Sequence, residues 1–486
     1  MPLDLQPVLQ RMDADFESAV ERLCALLRVP SISTDRAYRA ETRRAAQLLT
    51  DDLASLGFAA RIHDTDLHPM VMAHHRGPES DSACHILYYG HYDVQPPDPI
   101  ELWDSGPFEP AIVDGPHGRR LVARGAVDDK GQLMTFIEAF RAWIKVHGTL
   151  PVKVTVLLEG EEESGSPSLD PFLETHADEL AADVCLISDT GMWDIDTPAV
   201  TYTLRGLVYA EVTLAGPSHD LHSGMYGGAV VNPANELLRI LSALKDDRGI
   251  VQIPGFYDDV RELSEAEASQ WAALGFDEAA FLAGAGLKTP TGEAGRSTLA
   301  RIWSRPTCDI NGLWAGYTGD GAKTVIPAQA SAKLSFRLVP DQDPSKVFEG
   351  LQSFLTERTP PDCRWQITSH GASPAVRVPT DSAYLAAACR GLESVFDRTP
   401  VLMGCGGSIP AVGSIQRILG FDSLLVGFGL DDDRVHSPNE KFELKCFRLG
   451  MKSHAAILSE LAHFKHTARP PGDAGRAARG ARAASR

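Results

Sequence analysis

Short apolar runs that alternate with helical patterns, each run ending in polar residues, constrain the fold of this chain most. The runs occupy residues 85–89, 152–158 and 184–188, and a helical pattern at 131–146 separates the first two. Runs of this length are typical of buried strands, and their alternation with helices is typical of a parallel sheet. The sequence therefore predicts an α/β domain in which helices cover a mostly parallel sheet.

The pattern changes near residue 202, which indicates a second domain. Residues 201–214 alternate apolar and polar side chains, as in an antiparallel strand with one open face. We interpret 202–378 as an α+β domain inserted into a discontinuous first domain, 1–201 with 379–467. The Ala/Gly/Arg-rich tail, 468–486, has no core-forming pattern, and we expect it to be disordered.

The acidic composition narrows the classes of partner. The chain has 65 Asp and Glu against 46 Lys and Arg, a formal net charge of −19. A surface of this sign repels phosphate backbones and anionic lipid, so we expect neither nucleic acid nor membrane as a partner. No apolar run reaches the roughly 20 residues of a membrane-spanning helix, and the start MPLDLQPVLQ lacks the features of a signal peptide. We therefore expect a cytoplasmic protein.

The eight cysteines are scattered singly, without a C-x-x-C pair. This spacing fits reduced thiols better than a disulfide framework or a thiolate zinc site. A bound metal would therefore need oxygen and imidazole ligands.

Three of the predicted strands run directly into acidic or imidazole residues. His91 and Asp93 follow the first, Glu162 and Glu163 the second, and Asp189 the third. The carboxyl ends of parallel strands share one edge of a sheet, where ligands bind. Each motif alone is more often a solvated strand end or turn, but adjacent carboxylates repel one another unless a cation lies among them.

Two further motifs carry polar residues that local structure explains only in part. The segment 128–131, Asp-Asp-Lys-Gly, precedes the predicted helix, where an aspartate favours the helix dipole. That explanation covers one Asp, but not the doublet with Lys and Gly. His436 could by itself be any loop histidine.

Taken together, these motifs resemble the M20 family of dinuclear-zinc metallopeptidases, most closely its dipeptidases of the carnosinase type. The resemblance covers about residues 15–465. It rests on motifs in the same order: HYDVQP, ARGAVDDKGQ, LLEGEEESGS, LISDTG, LRGLVYAEV, DLHSGMYGGAVVNP, KTVIPAQA, FRLVP, GGSIP and HSPNE.

The resemblance implies two Zn²⁺ ions per subunit, with Mn²⁺ or Co²⁺ as alternatives. Asp128 matches the carboxylate that bridges the ions, and its peptide bond to Asp129 would be cis. His91 and Asp189 match the remaining ligands of one ion. The other ion's ligands are implied to be Glu163 and His436.

The resemblance also implies catalytic roles. Glu162 matches the general base and Asp93 the residue that orients His91. Two such ions would lower the pKa of a bound water and polarise the scissile carbonyl, and Glu162 would pass the proton of that water to the leaving amine. Three carboxylates would offset three of the four positive charges.

The inserted domain is implied to be a lid and dimerisation domain. His222 matches a histidine that reaches the partner subunit's active site and stabilises the oxyanion, so we expect a homodimer. Arg337 and Thr324 match substrate contacts, and Arg337 can bind a free carboxylate through two N–H groups. Gly407 and Ser408 match a further carboxylate contact.

One departure from the family concerns substrate preference. The dipeptidases usually carry Arg-Glu before Gly-Gly-Ser, whereas this chain has Gly404-Cys405. The leading hypothesis is hydrolysis of dipeptides or similar small substrates with a free C-terminal carboxylate. An N-acyl-amino-acid amidohydrolase with the same metal core is the close alternative.

Two hypotheses from other classes are weaker. A non-catalytic binding protein predicts missing ligands, and none is missing. A Mg²⁺-dependent phosphoryl-transfer enzyme is disfavoured by two histidine ligands and by the absence of a GxxxxGK[ST] motif.

Overall fold

The structure, a computed structural model, describes residues 3–80 and 82–466. The tail at 468–486, expected to be disordered, lies outside these residues. Within the described ranges, each helix is too short or too polar to cross a lipid bilayer.

The secondary structure follows the predicted alternation in the first part of the chain. The strands are β1 (Ala59–His63), β2 (Met70–His75), β3 (His85–His91), β4 (Ala111–Gly115), β5 (Gly118–Val122), β6 (Lys153–Glu159), β7 (Val184–Ile187), β8 (Ala199–Leu204), β9 (Gly206–Ala215), β10 (Leu221–His222), β11 (Thr307–Ala315), β12 (Val325–Ile326), β13 (Gln329–Leu338), β14 (Arg364–Ser373), β15 (Val376–Arg377), β16 (Val401–Cys405), β17 (Ser423–Leu425) and β18 (Lys441–Glu443).

The helices are α1 (Gln6–Ala14), α2 (Phe16–Leu27), α3 (Arg39–Ser55), α4 (Lys130–His147), α5 (Leu169–Thr175), α6 (Ser223–Tyr226), α7 (Pro233–Ser242), α8 (Glu265–Ala273), α9 (Glu278–Gly284), α10 (Thr298–Trp303), α11 (Pro344–Glu357), α12 (Ala383–Phe396), α13 (Pro410–Ser414) and α14 (Leu444–Leu461).

The described chain divides into two compact units. One consists of Thr203–Arg377 together with Gly404–Ile409, and the remainder forms the other. The sequence had placed 379–467 in the first domain throughout, whereas Gly404–Ile409 groups with the second unit. The roles expected of the two domains stay predictions.

The first unit is built on a sheet with parallel strands at its centre. Its strands lie in the order β1, β2, β6, β3, β7, β17, β8. The four from β6 to β17 run parallel, which confirms the predicted α/β fold, and antiparallel strands that were not predicted flank them. His91 pairs with Glu159, so β3 and β6 end at the same edge of the sheet.

The long helix α4 supplies much of the core behind these strands. Phe136, Phe140 and Trp143 are fully buried on it, and the ring of Phe136 lies 4.8 Å from that of Tyr88 on β3. Burying a side chain of the size of Phe contributes about 1.5–3 kcal/mol. The helix ends at Gly148, whose φ of 74° suits a glycine. This packing holds the first turn of α4 beside the carboxyl ends of the strands.

The second unit contains an antiparallel sheet in the order β11, β13, β9, β14. Along β9, buried and half-buried residues alternate strictly, as the sequence pattern predicted. The buried face packs against α7 and α11. Asn232 caps α7 by accepting the Ala234 N–H at 3.0 Å, with Pro233 in the first turn.

Candidate metal centre

Five polar residues of the first unit form two overlapping groups with the spacing of metal ligands. One group contains His91, Asp128 and Asp189, and the other contains Asp128, Glu163 and His436. The ligand atoms within each group lie within 4.8 Å of one another. The structure thus brings together all five residues for which the sequence predicted a metal role, with Asp128 in both groups.

The parallel strands place most of these side chains. His91 is the last residue of β3, Glu163 lies in a short 3₁₀ turn after β6, and Asp189 lies just beyond β7. Asp128 lies two residues before the start of α4, and His436 lies in the loop between β17 and β18 with a φ of 62°. The ends of parallel strands meet at one edge of a sheet, so residues far apart in sequence meet here.

The distances in the two groups suit a metal cluster. His91 Nε2 lies 3.2 Å from Asp128 Oδ1 and 4.0 Å from Asp189 Oδ2. His436 Nε2 lies 2.9 Å from Asp128 Oδ2 and 3.3 Å from Glu163 Oε2. His91 Nε2 is buried and has no hydrogen-bond partner among the described residues. Two imidazoles and three carboxylates form a donor set that fits zinc-like divalent ions.

The electrostatics of the cluster favour a bound cation. Burial, followed by neighbouring carboxylates, raises the pKa of Asp189 well above its usual range. Burial also raises the pKa of Glu162, despite the opposing effect of His91. Interaction with Asp128, ahead of a second carboxylate, raises the pKa of His436 to about 10. Carboxylates crowded in this way repel one another, and divalent cations would remove that repulsion.

Asp93 links two ligand segments. Its backbone oxygen lies 3.1 Å from His91 Nδ1, while its carboxylate Oδ1 is 3.4 Å away. The Asp93 carboxylate accepts the backbone N–H groups of Glu162 at 3.2 Å and Glu163 at 3.0 Å. The sequence predicted Asp93 as the residue that orients His91, and its backbone oxygen is nearer to His91 Nδ1 than its carboxylate is. The carboxylate instead holds the turn after β6.

The three consecutive glutamates after β6 have different surroundings. Glu161 is buried, and its carboxylate accepts the N–H groups of His68 and Ser168 at 2.8 and 3.0 Å. Glu163 belongs to the second ligand group, whereas Glu162 belongs to neither. Glu162 therefore lies next to a predicted ligand in the sequence without belonging to either ligand group.

The residues around Asp128 account for the motif that helix chemistry did not explain. The Asp128–Asp129 peptide bond is cis, as the resemblance implied. Asp129 Oδ2 accepts the His91 N–H at 3.1 Å, and Lys130 Nζ donates to Val29 O at 2.7 Å. At Gly131 a Cβ would lie 1.8 Å from the carbonyl oxygen of Ala126, so only glycine fits.

Sequence reasoning missed two residues that position ligands. Glu440 is buried, receives a hydrogen bond from Arg124 Nη1 at 2.7 Å, and accepts the N–H of Asp128 at 3.1 Å. It accepts the N–H groups of two neighbouring residues as well. Gln95 Nε2 donates to Glu163 Oε2 at 2.8 Å. Both lie within motifs on which the family resemblance rests, HSPNE and HYDVQP. Nothing else in the sequence indicated that they position ligands.

Three predicted substrate contacts form one cluster in the second unit. Arg337 Nη1 donates to Ser408 Oγ at 2.9 Å, and Ser408 Oγ donates to the carbonyl of Arg205 at 2.5 Å. The carbonyl of Gly407 accepts the Arg205 N–H at 3.1 Å. Arg205, which the sequence did not single out, joins the members of this cluster.

His222 and Thr324 form a second cluster in the same unit. Both are exposed, and His222 pairs with Val325 between β10 and β12. The N–H of Ser223 donates to the Thr324 carbonyl at 3.0 Å. His222 Nδ1 accepts the N–H of Gly224 at 3.0 Å.

Comparison with known proteins bears on the metal centre. The family model "Peptidase family M20/M25/M40" matches residues 87–460, which is more than half of the chain. The chain belongs to this family. The M20 resemblance drawn from the motifs is therefore confirmed, and the chain is a peptidase-family enzyme whose ligand groups fit metal dependence.

Relatives of this M20-family chain match it over nearly its whole length. The "Cys-Gly metallodipeptidase DUG1" of Candida albicans is 32% identical, with 94% of this chain and 97% of the relative covered. The "Beta-Ala-His dipeptidase" of Homo sapiens is 30% identical, covering 95% and 93%. The structure of the M20 family metallo-carboxypeptidase Sso-CP2 from Sulfolobus solfataricus matches with a TM-score of 0.82 at 33% identity, covering 92% and 99%.

Proposed function

We propose that this chain is a dinuclear-metal-dependent hydrolase that cleaves the amide bond of dipeptides or similar small substrates with a free C-terminal carboxylate. The observation that carries the proposal is the pair of ligand groups that share Asp128, with Glu162 beside them. Relatives named as dipeptidases over almost the full chain support the substrate class.

We propose that the two ligand groups hold one divalent ion each, with Zn²⁺ favoured and Mn²⁺ or Co²⁺ as alternatives. When bound, such ions supply Lewis-acid activation of a water molecule and of the scissile carbonyl. Asp93 holds His91 and the 162–163 turn, and Glu440 holds the Asp128 backbone. These contacts keep the ligand atoms converged before any substrate arrives.

Glu162 is proposed as the general base. The Asp93 carboxylate fixes the backbone of Glu162 by accepting its N–H. The carboxylate of Glu162 itself belongs to neither ligand group. It can accept a proton from the attacking water and deliver it to the nitrogen of the leaving amine. Both transfers need a carboxylate whose pKa lies closer to neutrality than that of a solvated glutamate, which burial favours.

His222 is proposed to stabilise the oxyanion in the active site of a partner subunit. Its Nδ1 accepts the Gly224 N–H, so in the neutral imidazole the proton resides on Nε2. That tautomer presents an N–H donor at an exposed position, as an oxyanion contact requires. Thr324 directly precedes β12, its carbonyl accepts the N–H of Ser223 at 3.0 Å, and it would enter the partner's site with His222.

Mixing two inactive variants tests the action of His222 in trans. Glu162→Gln and His222→Ala chains, mixed in equal amounts after dissociation, should regain about a quarter of wild-type activity. Half of the dimers are then mixed, and one of the two sites in each has both residues intact. Activity is measured after mixed dimers have been confirmed with distinguishable tags.

The matched control mixes Glu162→Gln with Asp128→Asn. Both changes lie in the same metal centre, so each mixed dimer has two defective sites and no activity should return. Equal recovery in both mixtures, or none with confirmed His222→Ala dimers, would reject the assignment of His222.

Arg337, Ser408 and Gly407 are proposed to bind the substrate carboxylate. Arg337 already donates to Ser408, and its remaining guanidinium N–H groups can bind a carboxylate in parallel. The same contacts would serve an N-acyl amino acid, so an amidohydrolase is the alternative function. The cytoplasmic location also stays a prediction, in keeping with eight cysteines that form no disulfide in the described chain.

A substrate panel separates these functions. The metal-loaded enzyme is assayed with dipeptides, including β-alanyl dipeptides, and with N-acetyl and N-succinyl amino acids. We expect kcat/KM to be highest for dipeptides. Turnover confined to the N-acyl compounds would favour the amidohydrolase, and no turnover of any amide would contradict the proposed function.

A further inference from the structure

Arg205 and Arg337 both contact Ser408 in the second unit. Arg337 is opposite Leu207 in the pairing of β13 with β9, and Arg205 precedes Leu207 by two residues. Arg205 itself lies between β8 and β9, and it meets Arg337 at Ser408, whose Oγ accepts from Arg337 Nη1 at 2.9 Å and donates to the Arg205 carbonyl at 2.5 Å. Arg337 lies on the half-buried face of the sheet, opposite the face that packs on helices.

No carboxylate balances these two charges. Neither arginine forms an ion pair with any described acidic residue, and Arg205 Nη1 is buried without a hydrogen-bond partner in the described chain. The side chains that raise the pKa of Arg205 are Cys405 and, more weakly, Asp309, which is exposed and lies 4.0 Å from Lys245. Burial, together with the charge of Arg337, lowers the pKa of Arg205 to about 10, which still leaves it protonated at neutral pH.

The backbone beside Arg205 leaves room for a ligand. Arg205 Nε donates to the carbonyl of Gly406 at 2.9 Å. A Cβ at Gly406 would lie 3.0 Å from Arg205 Nη2, so glycine keeps this side of the guanidinium open. Cys405 places a sulfur atom, and no carboxylate, beside the same group. A carboxylate from a substrate could therefore occupy the position that a protein carboxylate does not.

We propose that Arg205 and Arg337 together form a subsite for two negative charges, which makes the enzyme prefer substrates with an acidic C-terminal residue. The inference rests on the proposed function and deepens it. Arg337 binds the α-carboxylate, and Arg205 binds the side-chain carboxylate of a C-terminal aspartate or glutamate. Arg205 Nη1, which has no hydrogen-bond partner in the described chain, is the donor left for this role.

The test compares alanyl-glutamate with alanyl-glutamine, which differ in charge but hardly in shape. With the wild-type holoenzyme, kcat/KM should favour alanyl-glutamate by about tenfold to a hundredfold, the range expected of hydrogen bonds to a charged group. Arg205→Gln should bring this ratio close to one. Calorimetric binding of both dipeptides to the Glu162→Gln holoenzyme measures the same preference without turnover.

A second pair of variants keeps Arg205 in place. Cys405→Glu should pair with Arg205 and abolish the preference, whereas the uncharged Cys405→Gln should retain it. A wild-type ratio near one, or a preference that Cys405→Glu leaves intact, would overturn the proposal. Equal hydrolysis of both dipeptides would reject the proposed subsite and leave the proposed function in place. No hydrolysis of either contradicts the proposed function, while the binding ratio still decides the subsite.

Discussion

Replacing Glu162 with glutamine is expected to lower kcat by about 10²–10⁴-fold, the usual contribution of a general acid–base group. Glutamine keeps the size and the backbone hydrogen bond to Asp93 but cannot accept a proton from water. Because Glu162 belongs to neither ligand group, the variant should bind as much metal as the wild type. The measurement is steady-state hydrolysis of a dipeptide, with metal content determined on the same sample.

The control for this variant is Glu162→Asp. Aspartate also has a carboxylate that can accept a proton, but its side chain is one methylene shorter. This variant should therefore retain more activity than Glu162→Gln while showing the same metal content. If the metal-loaded Glu162→Gln enzyme turns over at a rate near that of the wild type, Glu162 is not the base.

Asp128→Asn is expected to have the largest effect on metal binding. Asp128 is the one residue common to both ligand groups, with its two carboxylate oxygens directed at different histidines. An asparagine of the same shape removes one negative charge and one anionic donor from both sites. Affinity should fall by more than the roughly 10–100-fold that changes outside the ligand set cause. Activity should fall with it, and calorimetric metal titration measures the loss.

Asp129→Asn provides the matched control one residue away. Asp129 is also buried, but its carboxylate accepts the backbone N–H of His91 and belongs to neither ligand group. An asparagine oxygen can accept the same N–H, so this variant should retain both ions. Equal metal loss in the two variants would show that the segment is sensitive to any substitution and that Asp128 has no special role.

Strand-end reasoning was sufficient for part of the metal centre. His91, Glu163 and Asp189 follow parallel strands, and the topology of such a sheet brings strand ends to one edge whatever the details of the loops. His436 could not be found in this way, because it lies in a loop at positive φ and only the family motif indicated it.

The residues that position the ligands could not be predicted, because their roles come from contacts between segments far apart in the sequence. Glu440 is 312 residues from Asp128, whose N–H it accepts, and its motif gives no sign of that partner. Arg205 lies where the strand predicted over 201–214 is divided into β8 and β9, and its partners Gly406 and Ser408 are 201 and 203 residues away. The segment Gly404–Ile409 groups with the second unit for a similar reason, since Arg205 and Arg337 bind it.

Metal titration of metal-free enzyme, with dipeptide hydrolysis followed at each point, tests the central claim most directly. The account predicts two divalent ions bound per chain, activity that is absent without metal and complete once both ions are bound, and reversal by a chelator. Full turnover by protein from which the metal has been removed would contradict it.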